Sequence, residues 1–182
     1  FQFILDLFDE QAPETDEEKT IYALTLMMSG RIDNSSALLH KVADQDPDPK
    51  NPLWQSDVAL ARFFCGQIEE SFSLLQKSVS SSEATAVEFS RLAAVHFARG
   101  NLEEARDNYL EAVMREPGRA EWHNNLAGIL VRQQKLEEAL ENYDQALLLK
   151  PDMERPKRSR QQVLIALERS DELVAELQAA LE

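Results

Sequence analysis

The 182-residue sequence predicts an all-α chain of helix hairpins stacked side by side, and three observations carry that expectation. Residues 86–119 align without a gap on residues 120–153, with eleven of 34 positions identical and Val95/Ile129 as a conservative pair beside them. Average composition would give about two identities. The same period reaches backward: Gly100 maps to Gly66, Leu102 to Ile68, and Trp122 to Trp54 two periods earlier. Within each period the apolar residues recur at helical spacing, as in Leu126, Ile129 and Leu130 or Leu136, Leu140, Tyr143 and Leu147. A fixed period of 20–50 residues marks a repeat architecture, in which no unit buries its apolar face alone.

The elements follow in chain order. The opening FQFILDLF has six large apolar residues in eight. It lacks the positive flank and small-residue cleavage site of a signal peptide. Pro13 stands at a terminating position, so residues 1–13 are expected to be the second helix of a truncated repeat. The missing first helix would lie before residue 1 in a longer array. Phe1, Ile4, Leu5 and Phe8 would pack on a helix beginning near Asp16; a true N-terminal cap is the alternative. Residues 16–49 form the first full repeat, with Gly30 and Ile32 in register with Gly66 and Ile68 once the DPDPKNP turn at 46–52 supplies two extra residues. Residues 52–85, 86–119 and 120–153 are the next three. Residues 154–182 are a divergent or truncated unit or cap, in which Leu164, Leu173, Leu177 and Ala180 keep the apolar spacing and RSDE at 169–172 makes a turn.

Each unit reads as two helices for local reasons. A glycine at 30, 66 and 100 suits a left-handed cap between them. Paired glutamates follow at 69–70, 103–104 and 137–138, where the dipole of a starting helix favours negative charge. Pro117 and Pro151 close the second helix. Ala105 and Ala139 are small where two helices must approach closely. Three departures loosen single turns: Gln134 in place of the glycine, Ser71 in place of the alanine, and Glu83 in place of the proline.

This pattern resembles the tetratricopeptide repeat. The residues that carry it are Leu92-Ala93, Gly100, Ala105, Tyr109, Ala112 and Pro117, with Leu126-Ala127, Ala139, Tyr143, Ala146 and Pro151. The resemblance is strongest over 86–153, weaker over 16–85 and faint after 154. It implies an alpha-alpha superhelix of tetratricopeptide-like hairpins whose first helices line a concave groove. The family's groove positions map here onto ladders. One runs Thr20, Ser56, Ser90, Asn124, Arg158; a second runs Leu24, Leu60, Ala94, Gly128; a third runs Met27, Phe63, Phe97, Val131, with Phe64, Asn125 and Arg132 beside them. The N-terminal half of such a groove is apolar and suits an amphipathic helix or extended apolar segment. The bland alternative is that Met27, Phe63 and Phe97 pack between helices. Arg155, Lys157, Arg158 and Arg160 crowd one helix start, where they either hold a carboxylate or acidic peptide or form a solvated face. The chaperone-tail clamp of some family members requires Lys and Asn on the early ladders, and Thr20, Ser56, Ser90, Leu24, Leu60 and Ala94 disfavour it.

Composition excludes several classes. The 33 acidic and 19 basic residues give a net charge of −14, and the first sixty positions hold 12 acidic against 4 basic residues. That charge repels phosphate backbones and anionic lipid, so neither nucleic acid nor membrane insertion is expected. No window holds eighteen consecutive apolar residues. Cys65 is the single cysteine, which excludes an intramolecular disulfide and favours a reducing, cytoplasmic setting. His40, His96 and His123 match no metal spacing, and DQDPDP at 44–49 lacks the glycine and terminal glutamate of a calcium loop. No phosphate loop or catalytic triad stands out, and no cofactor is expected. The sequence therefore reads as a non-catalytic scaffold for a protein or peptide. The alternatives are an adaptor region of a multidomain enzyme, such as a group transferase, and self-association through uncovered array ends.

Overall fold

A computed structural model describes residues 15–29, 32–44 and 52–169, with Phe8, Pro13, Asp171 and Gln178 as isolated positions; the side chains of residues 16, 17, 27, 28, 32–36, 39 and 52–54 are not described. Among the described residues the chain forms nine α-helices and no strand. They are α1 (Asp16–Met28), α2 (Ile32–Ala43), α3 (Pro52–Phe64), α4 (Ile68–Val79), α5 (Ala86–Ala98), α6 (Leu102–Arg115), α7 (Ala120–Arg132), α8 (Leu136–Leu149) and α9 (Glu154–Ala166).

Short-range chemistry sets the ends of these helices. Before α1, the Thr15 amide donates to Glu18 Oε2 at 3.0 Å and the Glu18 amide donates back to Thr15 Oγ1 at 3.1 Å. Before α5, Thr85 and Glu88 repeat the exchange, with Thr85 N donating to Glu88 Oε2 at 2.8 Å. Both are capping boxes that satisfy otherwise orphaned amides. The paired glutamates occupy the first turns of α4, α6 and α8, as the sequence predicts. The residues before Pro117 and Pro151 are extended, with ψ of 84° at Glu116 and 86° at Lys150, because a following proline disfavours the helical region. Where Glu83 replaces that proline, α4 stops at Val79 and serines make the turn instead: Ser80 Oγ donates to Gln76 O, and the Glu83 amide donates to Ser81 Oγ.

The turn inside each hairpin is left-handed at every repeat where it is described. Gly66 has φ of 80° and Gly100 of 82°; Gln134 (61°) and Glu168 (59°) hold the same conformation without being glycine. These four positions are 34 residues apart. At three of the four the closing bond spans five residues, from Gln67 N to Arg62 O, Lys135 N to Leu130 O and Arg169 N to Leu164 O, each 2.9 Å. That is the Schellman geometry. Gln134 and Glu168 thus carry a steric penalty that Gly66 and Gly100 avoid. Gln134→Gly is expected to raise stability by about 0.5–1 kcal/mol, because a well-made turn loses its strained residue; urea unfolding monitored by circular dichroism checks this.

The described residues divide into two compact units, Phe1–Arg99 and Gly100–Glu182. In the first, α1 pairs with α2 and α3 with α4, α2 packs on α3, and α5 packs on α4. Ala23, Val42, Ala43, Val58 and Ala61 form one buried cluster, and Ala59, Leu75, Leu92 and Val95 form another. The Phe8 ring lies tilted against Tyr22 of α1 with ring centroids 5.2 Å apart, on the helix expected to receive it. Phe1, Ile4 and Leu5 lie outside the described residues, as do the turn at 45–50 and most of 170–182. In the second unit, α7 pairs with α8, α6 packs on α7 and α9 packs on α8. Its core is Leu126, Ile129, Leu130, Tyr143, Val163 and Leu164 with small Ala105, Ala112, Ala139 and Ala146. The small position before each second helix's middle is fully buried in all three repeats where it is described: Ser71, Ala105 and Ala139. Ser71 satisfies its hydroxyl by donating to Ala59 O at 2.7 Å.

Candidate partner-binding faces

In the first unit the candidate residues come from α3 and α5. Leu60 is half-buried. Phe63 packs partly against the Ala59, Leu75, Leu92 and Val95 cluster, while its neighbour Phe64 is 44% exposed. The two rings meet edge to face at 5.4 Å. On α5, Phe97 is half-buried and Ser90 is 9% exposed with its hydroxyl donating to Val87 O at 2.8 Å. The Met27 side chain lies outside the described residues.

The hydroxyl ladder is largely closed here. Thr20 and Ser56 have no exposed surface. Arg91 of α5 donates to Ser56 Oγ and pairs with Asp57 at 2.7 Å, both side chains being mostly buried. Small hydroxyl side chains at this register let successive first helices approach, and α1 indeed touches α3 as α3 touches α5. Sequence reading placed Ser56 and Ser90 on an open ladder. It missed Arg91 because a residue 35 positions away leaves no local mark. Two further cations hold this unit together. Arg62 Nε donates to Ala43 O at the end of α2, at 2.9 Å, where the dipole favours positive charge. Arg99 lies 3.9 Å above the Phe72 ring and bonds Glu69. Burial, and secondarily the charge of Asp44, pushes the Cys65 thiol up and disfavours its thiolate.

In the second unit the candidates come from α7 and α9, which touch one another. Asn124 is 8% exposed and donates to Asn125 Oδ1 at 3.2 Å; Asn125 in turn donates to the Tyr109 hydroxyl at 3.2 Å. Burial holds the Tyr109 phenol above its ordinary range, an effect the Asn125 bond opposes. Asn125 is therefore already engaged with α6. Gly128 is half-buried, and an added methyl there would meet only the Tyr143 hydroxyl at 4.0 Å, so the glycine leaves open space rather than a tight contact. Arg132 is exposed at the end of α7. His123 is structural: its Nε2 lies 3.0 Å from Pro117 O and its Nδ1 3.3 Å from Asn142 Oδ1, pinning the turn before α7.

The basic cluster of α9 splits into two sets. Lys157 pairs with Glu154 at 3.0 Å, and Arg160 pairs with Asp144 of α8. Arg155 and Arg158 are exposed and make no ion pair or hydrogen bond among the described residues. Gln162 and Ile165 share their face and were not singled out from sequence. The signal was present, since Ile165 is one period beyond Val131 and Gln162 one beyond Gly128. Among the described residues no three His, Cys, Asp or Glu side chains converge on a metal-holding position, and no helix is long and apolar enough to cross a membrane.

Known proteins share the fold. Residues 90–156 match the family described as the tetratricopeptide repeat. No curated protein sequence matches the chain. Among solved structures, the first tetratricopeptide domain of Spaghetti (RPAP3), bound to the HSP90 peptide SRMEEVD, is 20% identical with a TM-score of 0.63, covering 67% of this chain and 97% of that one. MamA is 20% identical with a TM-score of 0.66, covering 91% of each chain. The Sgt2 tetratricopeptide domain from Aspergillus fumigatus is 17% identical with a TM-score of 0.60, covering 69% and 84%. At these identities the likeness is one of fold: all-α, the alpha-alpha superhelix of helix hairpins.

Proposed function

We propose that this chain, whose residues 90–156 match the tetratricopeptide repeat family, is a non-catalytic scaffold holding a peptide or protein segment on its first helices. The observation that carries this reading is on α3. Phe64 keeps 44% of its surface exposed beside half-buried Leu60 and Phe63, although the core behind them is filled by other residues. Exposed aromatic surface next to a rigid helix pair is what an apolar partner side chain uses as an anchor. One solved structure of the same fold lends support by analogy, since the Spaghetti domain is bound to an HSP90 peptide. The early ladder here carries Thr20, Ser56 and Ser90, so the ligand chemistry differs from that of a lysine and asparagine clamp.

The test is affinity capture of a protein partner on the wild-type chain and on Phe64→Asp, Phe63→Ala and Arg158→Glu. Phe64→Asp is expected to reduce capture about tenfold or more, as loss of an interface anchor does, with an unchanged circular dichroism spectrum. Retention of full binding by all three folded variants would remove these faces from the contact surface.

A further inference from the structure

We infer that the exposed stripe Arg155, Arg158, Gln162 and Ile165 on α9 takes an extended peptide of a partner protein in which acidic residues precede an apolar one. This rests on the scaffold reading above and gives it a ligand chemistry. Residues at these spacings fall within an arc of about 80° on a helix that turns about 100° per residue. The opposite face of α9 is spent on the fold, with Pro156, Val163 and Leu164 buried. The stripe is not required for that packing.

Charge selects the occupant. The chain as a whole carries −14, yet α9 holds four basic residues against Glu154 alone. Two of the four are neutralised by Glu154 and Asp144. Among the described residues Arg155 and Arg158 remain without a carboxylate, one turn apart, in a molecule with a large surplus of them. A guanidinium binds a carboxylate through two parallel donors, so the pair suits two acidic side chains or an acidic side chain and a chain terminus. Beyond them Gln162 offers an amide that can meet a peptide backbone, and Ile165 is 60% exposed. From Arg155 to Ile165 the helix rises about 15 Å, the length of four or five extended residues. The stripe therefore has a polarity: acid at the start of α9, apolar at its end.

The experiment selects binders to the full chain from a randomised displayed-peptide library and measures the best of them as a fluorescein-labelled synthetic peptide by anisotropy. Selected peptides are expected to carry acidic residues followed by an apolar one. Arg155→Glu and Arg158→Glu should each weaken binding roughly 10- to 100-fold, as loss of a charge-assisted contact does, with an unchanged thermal melt. Ile165→Asp should abolish the preference for the apolar residue. Raised salt should weaken the wild-type complex, because exposed charges are screened. Selected peptides without acidic bias, or indifferent to both charge reversals, would overturn the inference while leaving the scaffold reading to the Phe64→Asp result. Failure to select any peptide would overturn it equally. A synthetic peptide of residues 6–18, which contains seven acidic and no basic residues, serves as a separate arm. Its binding through Arg155 and Arg158, with mass in solution rising to a dimer, would overturn the foreign partner in favour of a second copy of this chain.

Discussion

Leu126→Ala will lower the unfolding free energy by about 2–5 kcal/mol, a large share of the stability of a domain this size. Leu126 is 1% exposed on α7, a helix whose Ile129 and Leu130 are also buried, so no surface water can refill the vacated space. The cost has two parts. Removing the side chain forfeits about 1.5–3 kcal/mol of apolar burial. The cavity left behind adds more, because helices tied by short turns at 116–119 and 133–135 relax only partly. The matched control is Met114→Ala on α6. Met114 is 77% exposed, so its truncation is expected to fall within about 0.5 kcal/mol of wild type. Chemical denaturation of both variants measures the difference, and equal effects would mean that α7 is not buried as described.

Ala139→Leu is the second large effect, and it destabilises by overfilling the core rather than emptying it. Ala139 is fully buried on α8, at the position that is Ala105 on α6 and Ser71 on α4. Only a hydroxyl or a methyl stands there because neighbouring helices come close. Extra methylenes at such a point force side chains off their rotamers or helices apart, at a cost of about 1–3 kcal/mol. The conservative Ala139→Ser is expected to be mild, since Ser71 shows how the hydroxyl can be satisfied by a carbonyl one helix away. A melt in which Ala139→Leu is as stable as Ala139→Ser would contradict close helix approach at this register.

Much of the fold was readable because it rests on contacts between near neighbours in the chain. The glutamate pairs and Pro117 and Pro151 mark helix ends in the sequence and mark them in the structure. Two signals were present and went unread: T-x-x-E at Thr15 and Thr85, each a capping box, and the continuation of the ladders to Gln162 and Ile165. Gln134 shows a limit of residue preference. The turn geometry repeated by its neighbours imposes a left-handed backbone on a residue that does not favour it, and Glu168 repeats the case. The partner faces were less legible. Whether Ser56 is open or closed depends on Arg91, one repeat away, and whether Arg158 is free depends on which acids reach α9. Such pairings are set by packing between repeats, and no periodicity announces them.

The central claim is that each hairpin completes the interior of the next, and duplication tests it most directly. A second copy of residues 120–153 inserted after Met153 would place a new α7 on α8 where α9 now packs, and would offer α9 a new α8. Stacking of equivalent hairpins predicts a folded chain with proportionally more helix by circular dichroism and a higher denaturation midpoint, since each added repeat contributes an interface. Lost helicity, or a lower midpoint than the parent chain, would contradict it.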